Sequence, residues 1–226
     1  MGSVLRELAS KLPEADIVVV NDGSTDGTAQ VVRESGLAML LDVPLNLGVG
    51  GAMRTGYRFA QRNGYHRAVQ VDADGQHDPA EIGRLLALLD AGVNVAIGAR
   101  FAGKGSYKAR GPRRWAMAIL SAVLSKVTRT KLTDTTSGFR ACDRRGIELF
   151  AADYPAEYLG DTVEALVIAH RSGLTIRQVG VHMRTRAAGA PSQSALKAAV
   201  FLGRAALALL IAMTRPMARP ERTESS

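Results

Sequence analysis

The chain of 226 residues contains a single cysteine, Cys142, so no disulfide framework can hold it together; this fits a reducing compartment. Aromatic residues make up only 5%, and they are not interleaved with the basic ones as nucleic-acid binding would require. No recognition helix is visible either, which argues against a nucleic-acid partner. No uninterrupted apolar run reaches the roughly 18 residues of a membrane span. The opening "MGSVLRELASKLPEA" lacks the apolar core of a signal peptide. What the chain has in excess is positive charge, +8 net. That surplus points to phosphate on a partner: a nucleotide, an anionic lipid or a phosphorylated small molecule.

Strand and helix patterns alternate. Val4 to Leu12 reads as a short amphipathic helix ended by Pro13, "DIVVVND" as a buried strand, and "STDGTAQVVRES" as a capped helix closed by Gly36. "LAMLLD" is a strand, and "GVGGAMRTGYRFAQRNG" is a glycine-rich turn running into a helix. "RAVQVDAD", "PAEIGRLLALLDAG" and "VNVAIGAR" continue as strand, helix and strand. The alternation predicts an α/β fold, a Rossmann-like and mostly parallel sheet with helices on both faces. Ligands of such sheets bind at the carboxyl ends of the strands, where Asp22, Asp72, Asp74 and Arg100 fall. Beyond Arg100 come a basic loop, "KGSYKARGPRR", and a helix, "RRWAMAILSAVLSKVTR", with a narrow polar stripe at Arg114, Ser121, Ser125 and Arg129. A turn-rich "TDTTSGFRACD", a helix at Thr162 to Arg171 and a strand at "TIRQVGVHMR" follow. Ala195 to Met213 is a nearly all-apolar helix, and the residues after it read as a disordered tail.

The densest polar chemistry sits in "VQVDADGQHDP". Two aspartates one residue apart at a strand exit, Asp72 and Asp74, can converge on one hard cation, with Gln76 adding a carbonyl oxygen; Mg²⁺ or Mn²⁺ takes such ligands and keeps water and phosphate in its shell. A solvated turn is the alternative. His77 reads as a capping or surface residue. Ser24, Ser137 and Cys142 have no paired base in the sequence, which argues against a covalent nucleophile.

In order along the chain, "NDGSTDGT", "NLGVGGAMRTG", "VDADGQHDP", "GAR" and "DTTSGFR" resemble the family 2 glycosyltransferases of the GT-A fold. The branch most similar is that of dolichol-phosphate mannose synthase and the bacterial polyprenyl-phosphate glycosyltransferases. The resemblance runs from about Gly2 to Met213. It implies inverting, metal-dependent transfer of a hexose from a UDP- or GDP-sugar to a polyprenyl phosphate. It also implies roles. Asp22, Ser24 and Arg54 line the donor site, and Asp72, Asp74 and Gln76 hold Mg²⁺ or Mn²⁺ against the donor diphosphate. Arg100 and Arg114 bind the acceptor phosphate, and Arg184 and Arg186 close over the pyrophosphate. Asp161, with Glu164 beside it, is the candidate base if one is used; a helix-capping role is the alternative. Rival readings are a soluble hydroxyl acceptor and an inactive membrane-associated binding module.

The family opens with a mid-sheet strand ending in an Asn-Glu type motif, whereas here "MGSVLREL" matches the helix that follows it, so the first strand is expected to be missing. The expected organisation is a catalytic domain over 1–194, an interfacial helix over 195–213 and a disordered tail over 214–226. The clean apolar stretch "AALALLIAM" covers only about 14 Å against a hydrocarbon core of about 30 Å. The expectation is therefore peripheral attachment at the cytoplasmic, inner face of the membrane, with homo-oligomerisation open.

Overall fold

The computed structural model describes residues 1–100, 112–155 and 161–184. The basic loop, Arg186, the helix expected over 195–213 and the tail lie outside these residues. So do the side chains of Arg114 and Asp161, although their backbones fall in helices.

The chain runs α1 (Gly2–Lys11), β1 (Val18–Asp22), α2 (Thr28–Ser35), β2 (Met39–Val43), α3 (Gly48–Arg62) and β3 (Arg67–Gln70). A 3₁₀ turn (Pro79–Glu81) leads into α4 (Ile82–Asp90), followed by β4 (Val95–Ala99), α5 (Pro112–Thr128), β5 (Arg140–Asp143), α6 (Arg144–Ala152), α7 (Asp161–Arg171) and β6 (Ile176–Gly180). Local signals set several boundaries. Asp78 accepts the Ala80 N–H at the head of the Pro79 turn, and Asp143 accepts the Gly146 N–H at the head of α6. Gly36 ends α2 in the left-handed conformation.

The strands form two sheets. β1 and β2 pair in parallel, Val18 opposite Met39 through Asp22 opposite Val43. The other sheet has the order β3-β5-β4-β6. Its β4 and β6 are parallel, while β5 runs against both β3 and β4. No ladder joins β1 to β3 among the described residues; the sheet is interrupted in its middle. Helices bridge the interruption. On one face α3 packs on β1 and sends Met53 and Tyr57 into the larger core. On the other, Leu8 of α1 and Leu12 just after it join Val69, Val71 and the α4 leucines, while α1 also contacts α2.

β4 is buried along its whole length, as a strand covered on both faces should be. One core, around Phe150, Leu166 and Val95, lies under α3, α5, α6 and α7; the other, around Ile82, Leu85 and Phe139, lies under α4 and α1.

The structure adds to two of the sequence patterns. "TDTTSGFRACD" is not turn throughout, since Arg140–Asp143 is the strand β5 at the centre of the larger sheet. Of the polar stripe on α5, Ser121 and Ser125 face the protein. Ser121 Oγ donates to the Thr133 carbonyl, and Ser125 Oγ to those of Ser121 and Leu132 while accepting the Leu132 N–H. The hydroxyls thus satisfy the loop that leads back to β5. No described helix is long and apolar enough to cross a membrane.

Candidate active site

The acidic motifs sit at the carboxyl ends of β1, in the smaller sheet, and of β3, in the larger one, where Arg100 follows β4. At the β1 end, Asn21 is buried; its amide donates to Asp42 (2.7 Å) and its Oδ1 accepts the Ser24 N–H. Asp22 Oδ1 accepts the Leu47 N–H at 2.7 Å, which ties the β1 exit to the start of α3. Gly23, at φ 71°, makes that approach possible: a Cβ there would stand 3.1 Å from the Asn46 nitrogen. Ser24 is exposed beside it.

At the β3 exit, Asp74 Oδ1 accepts the Gln76 N–H at 3.0 Å, a turn that folds the loop back on itself. The Asp72 carboxylate lies over Gly138, where an added Cβ would come 2.9 and 3.0 Å from its two oxygens. Gln70 Nε2 stands 3.5 Å from Asp72 Oδ1. His77 is buried, accepts the Asp72 N–H on Nδ1 at 2.9 Å, and brings Nε2 to 3.6 Å from Asp72 Oδ2. Burial lowers its pKa, opposed by the Asp72 charge. His77 therefore occupies neither expected place, surface nor cap.

Arg100, at the end of β4, donates its N–H to Asp134 and its Nε to the Met183 sulfur. Asp134 is buried, and its other oxygen accepts from Thr136. Arg184 follows Met183. Its guanidinium grips both oxygens of Glu7 (2.7 and 2.6 Å) and reaches Asp78 at 2.8 Å. That paired geometry holds Glu7 below its usual pKa, first through the hydrogen bond from Arg184. Burial pushes Asp78 up, but the Ala80 N–H and Arg184 outweigh it and its pKa is lowered.

Arg54 does not join these strand ends. Its Nη2 donates to the Ala152 carbonyl at 2.6 Å and its Nε to that of Ala151, so it caps the end of α6 together with Arg58. The Arg54 expected at the donor site is thus engaged at the end of α6. A glycine-rich turn signals flexible backbone but does not reveal where a long side chain one turn later will reach. Glu164 is buried within α7.

The sequence profile of glycosyl transferase family 2 matches residues 2–150. The chain belongs to that family. A protein of Mycolicibacterium smegmatis named polyprenol monophosphomannose synthase is 36% identical over 149 residues, covering 60% of this chain and 54% of that protein. The chain thus spans about half the length of that relative. A Micrococcus luteus protein named undecaprenyl-phosphate mannosyltransferase is 28% identical over 198 residues, covering 84% of this chain and 80% of its own. Among solved structures, glucosyl-3-phosphoglycerate synthase from Mycobacterium tuberculosis with Mn²⁺, UDP and phosphoglyceric acid superposes with a TM-score of 0.69 at 19% identity, covering 95% of this chain and 74% of that one. At that identity the likeness is one of fold, which is of the GT-A type.

Two residues of this family 2 chain escape the sequence reading. One is Asp134, hidden in a run of turn-forming residues. The other is Arg140, 1% exposed in β5. Its Nε donates to the Ser137 carbonyl and its Nη2 to that of Thr162, while Nη1 has no partner. Arg140 ties the 137–139 turn beneath Asp72 to the first turn of α7. A buried guanidinium is costly unless its donors are used, but the turn-rich run around Arg140 gives no sign in the sequence that it is buried.

The exit suits a divalent cation by its chemistry. It offers two carboxylates, hard oxygen donors, and among the described residues no third His, Cys, Asp or Glu converges on them as a closed metal cluster. An ion such as Mg²⁺, which keeps waters and substrate phosphates in its shell, matches a set of that size.

Proposed function

We propose that this chain transfers a hexose from a nucleoside diphosphate sugar to a polyprenyl phosphate with inversion at the sugar carbon. The observation that carries the reading is the β3 exit: Asp72 fixed over Gly138 and Asp74 turned back on Gln76, with Arg100 just after β4 of the same sheet and Asp22 at the end of β1 in the other. Family membership supports glycosyl transfer. The names of the relatives, mannose synthases and transferases of polyprenyl phosphates, support the acceptor class.

Asp72 and Asp74, with Gln76, would hold Mg²⁺ or Mn²⁺, which when bound supplies charge neutralisation for the departing diphosphate. Asp22, at the neighbouring strand end, contacts the nucleotide. A phosphate acceptor needs no general base, since a monoester with a second pKa of about 6 already carries an ionised oxygen at neutral pH. Attack by that oxygen breaks the bond between the sugar carbon and the diphosphate, which leaves as the nucleoside diphosphate. Arg100 and Arg114 meet the acceptor phosphate, Arg100 from the β4 end and Arg114 from the first turn of α5. Arg184 closes over the pyrophosphate only by leaving Glu7 and Asp78. Asp161 is needed as a base only for a hydroxyl acceptor.

The test is transfer of radiolabelled hexose from UDP- or GDP-sugars to a short polyprenyl phosphate, with and without Mn²⁺ and with Asp74→Asn. The expected result is lipid-extractable label that requires both metal and Asp74. Label transferred equally in the presence of a chelator would end the metal reading, and label appearing only on a soluble alcohol would end the acceptor reading.

A further inference from the structure

His77 makes more contacts than a loop residue needs. Its Nδ1 accepts the Asp72 N–H at 2.9 Å, so Nδ1 carries no proton and a neutral ring holds its hydrogen on Nε2. Nε2 is the atom that stands 3.6 Å from Asp72 Oδ2, too long for a hydrogen bond but close enough for the N–H dipole to favour that carboxylate position. The ring cannot swing away. It stacks on Phe139 with centroids 4.7 Å apart and planes 16° from parallel, and only 4% of it is exposed. Its backbone is fastened too. His77 bridges to Met183 in antiparallel fashion, and Arg184 donates its N–H to the Gln76 carbonyl at 2.9 Å. One imidazole thus touches Asp72 at backbone and carboxylate, while its own segment is pinned to the return from β6.

We infer that His77 is a positioning residue that fixes the Asp72 backbone and carboxylate for metal binding and joins that carboxylate to the Met183–Arg184 segment. The inference rests on the metal reading above and adds to it a specific support for one ligand. The support acts from both sides: Gly138 leaves room for the Asp72 oxygens, and His77 together with Gln70 holds them there. Groups that orient a metal ligand in this way are commonly worth 10- to 100-fold in metal affinity.

The test compares wild type with His77→Phe and His77→Asn in the full chain. Phe keeps a flat ring for Phe139 but offers Asp72 nothing. Asn can still accept the Asp72 N–H but does not reach its carboxylate. Mn²⁺ binding is measured by electron paramagnetic resonance in the presence of UDP or GDP, below the melting temperature of every variant. We expect about a 10- to 100-fold loss of Mn²⁺ affinity in His77→Phe and a partial rescue in His77→Asn. A fault that merely loosened the fold would lower both melting temperatures without that ordering of Mn²⁺ affinities. Should wild type take up Mn²⁺ and His77→Phe match it, the positioning role is overturned and the metal reading stands. Should wild type take up no Mn²⁺ with either nucleotide, the metal reading fails and this role falls with it.

Discussion

Gly138→Ala separates the architecture of the site from the stability of the fold. An alanine Cβ would lie 2.9 and 3.0 Å from the Asp72 oxygens and 3.1 Å from Gln70 Nε2. All three atoms are the ends of side chains, so the neighbours can give way by rotating. Rotation of a side chain about 30° off its preferred angle costs about 0.5–1.5 kcal/mol. For a chain of this size that is a fall of only a few degrees in melting temperature, at about 2–4 °C per kcal/mol. The functional loss should be larger, because Asp72 can make room only by leaving the position it needs. We expect Mn²⁺-dependent activity to demand about 10- to 100-fold more metal, equivalent to about 1.4–2.7 kcal/mol. Gly146→Ala is the control. Its Cβ would meet Cys142 Cβ at 3.0 Å and the Asn94 carbonyl oxygen at 3.2 Å at the buried head of α6, where overpacking costs about 1–3 kcal/mol. That variant should melt well below wild type without a selective change in metal requirement. The assay is a Mn²⁺ titration of transfer beside calorimetric melting. If Gly138→Ala keeps the wild-type metal requirement, the Asp72 position seen over Gly138 is not the one that works.

Further predictions concern stability and reactivity. The folded pKa values of Glu7 and Asp78 are lowered from the ordinary 4.5 and 3.8, so their contribution is present above those values and is lost as pH falls through the lower folded ones. Arg184→Gln should therefore lower the melting temperature at pH 7, and the gap to wild type should narrow only as pH falls below about 4 and through the lowered folded values; a gap that stays equal down to about pH 2 would refute the clamp. Cys142 is buried against the Tyr57 hydroxyl and its pKa is pushed up to about 12, chiefly by burial. Thiol reagents at pH 8 should label it only after denaturant is added, and rapid labelling of the native protein would contradict the packing. Arg54→Ala should lower stability by about 0.5–2 kcal/mol through the α6 end it caps, with little change in donor KM; a rise in donor KM at unchanged stability would return Arg54 to the donor site.

How much of this was legible depended on whether a signal was local. The strands before Asp22 and Asp72 and the helix before Gly36 are announced by apolar runs and caps within a few residues. β5 is not, since its four residues include Arg140 and Asp143 and follow a run of turn-formers. It becomes a strand through its partners Arg67–Gln70 and Val95–Ile97, far away in sequence. α6 could have been found from Asp143 three residues before Gly146, a capping spacing later met by a hydrogen bond. In the site, "DADGQ" marks its place, because two carboxylates directly after an apolar strand run fall at a strand exit. The duties of His77, Arg54 and Arg140 depend on what lies opposite them in space, and a sequence carries no record of that.

The interruption between β1 and β3 has a consequence for how the protein breathes. A two-stranded sheet is marginal alone, and β1–β2 is held to the rest through α1 and α3, without backbone ladders to β3. Among the described residues the half bearing Asp22 therefore rests on helix packing, and its amides are expected to exchange with solvent sooner than those of the fully buried β4. A nucleotide sugar reaching from Asp22 to the β3 exit would stitch the two halves together. By linkage its binding would slow exchange in both, and protection of β1 and β2 amides would report occupancy of a site whose Asp72 and Asp74 lie on the other sheet.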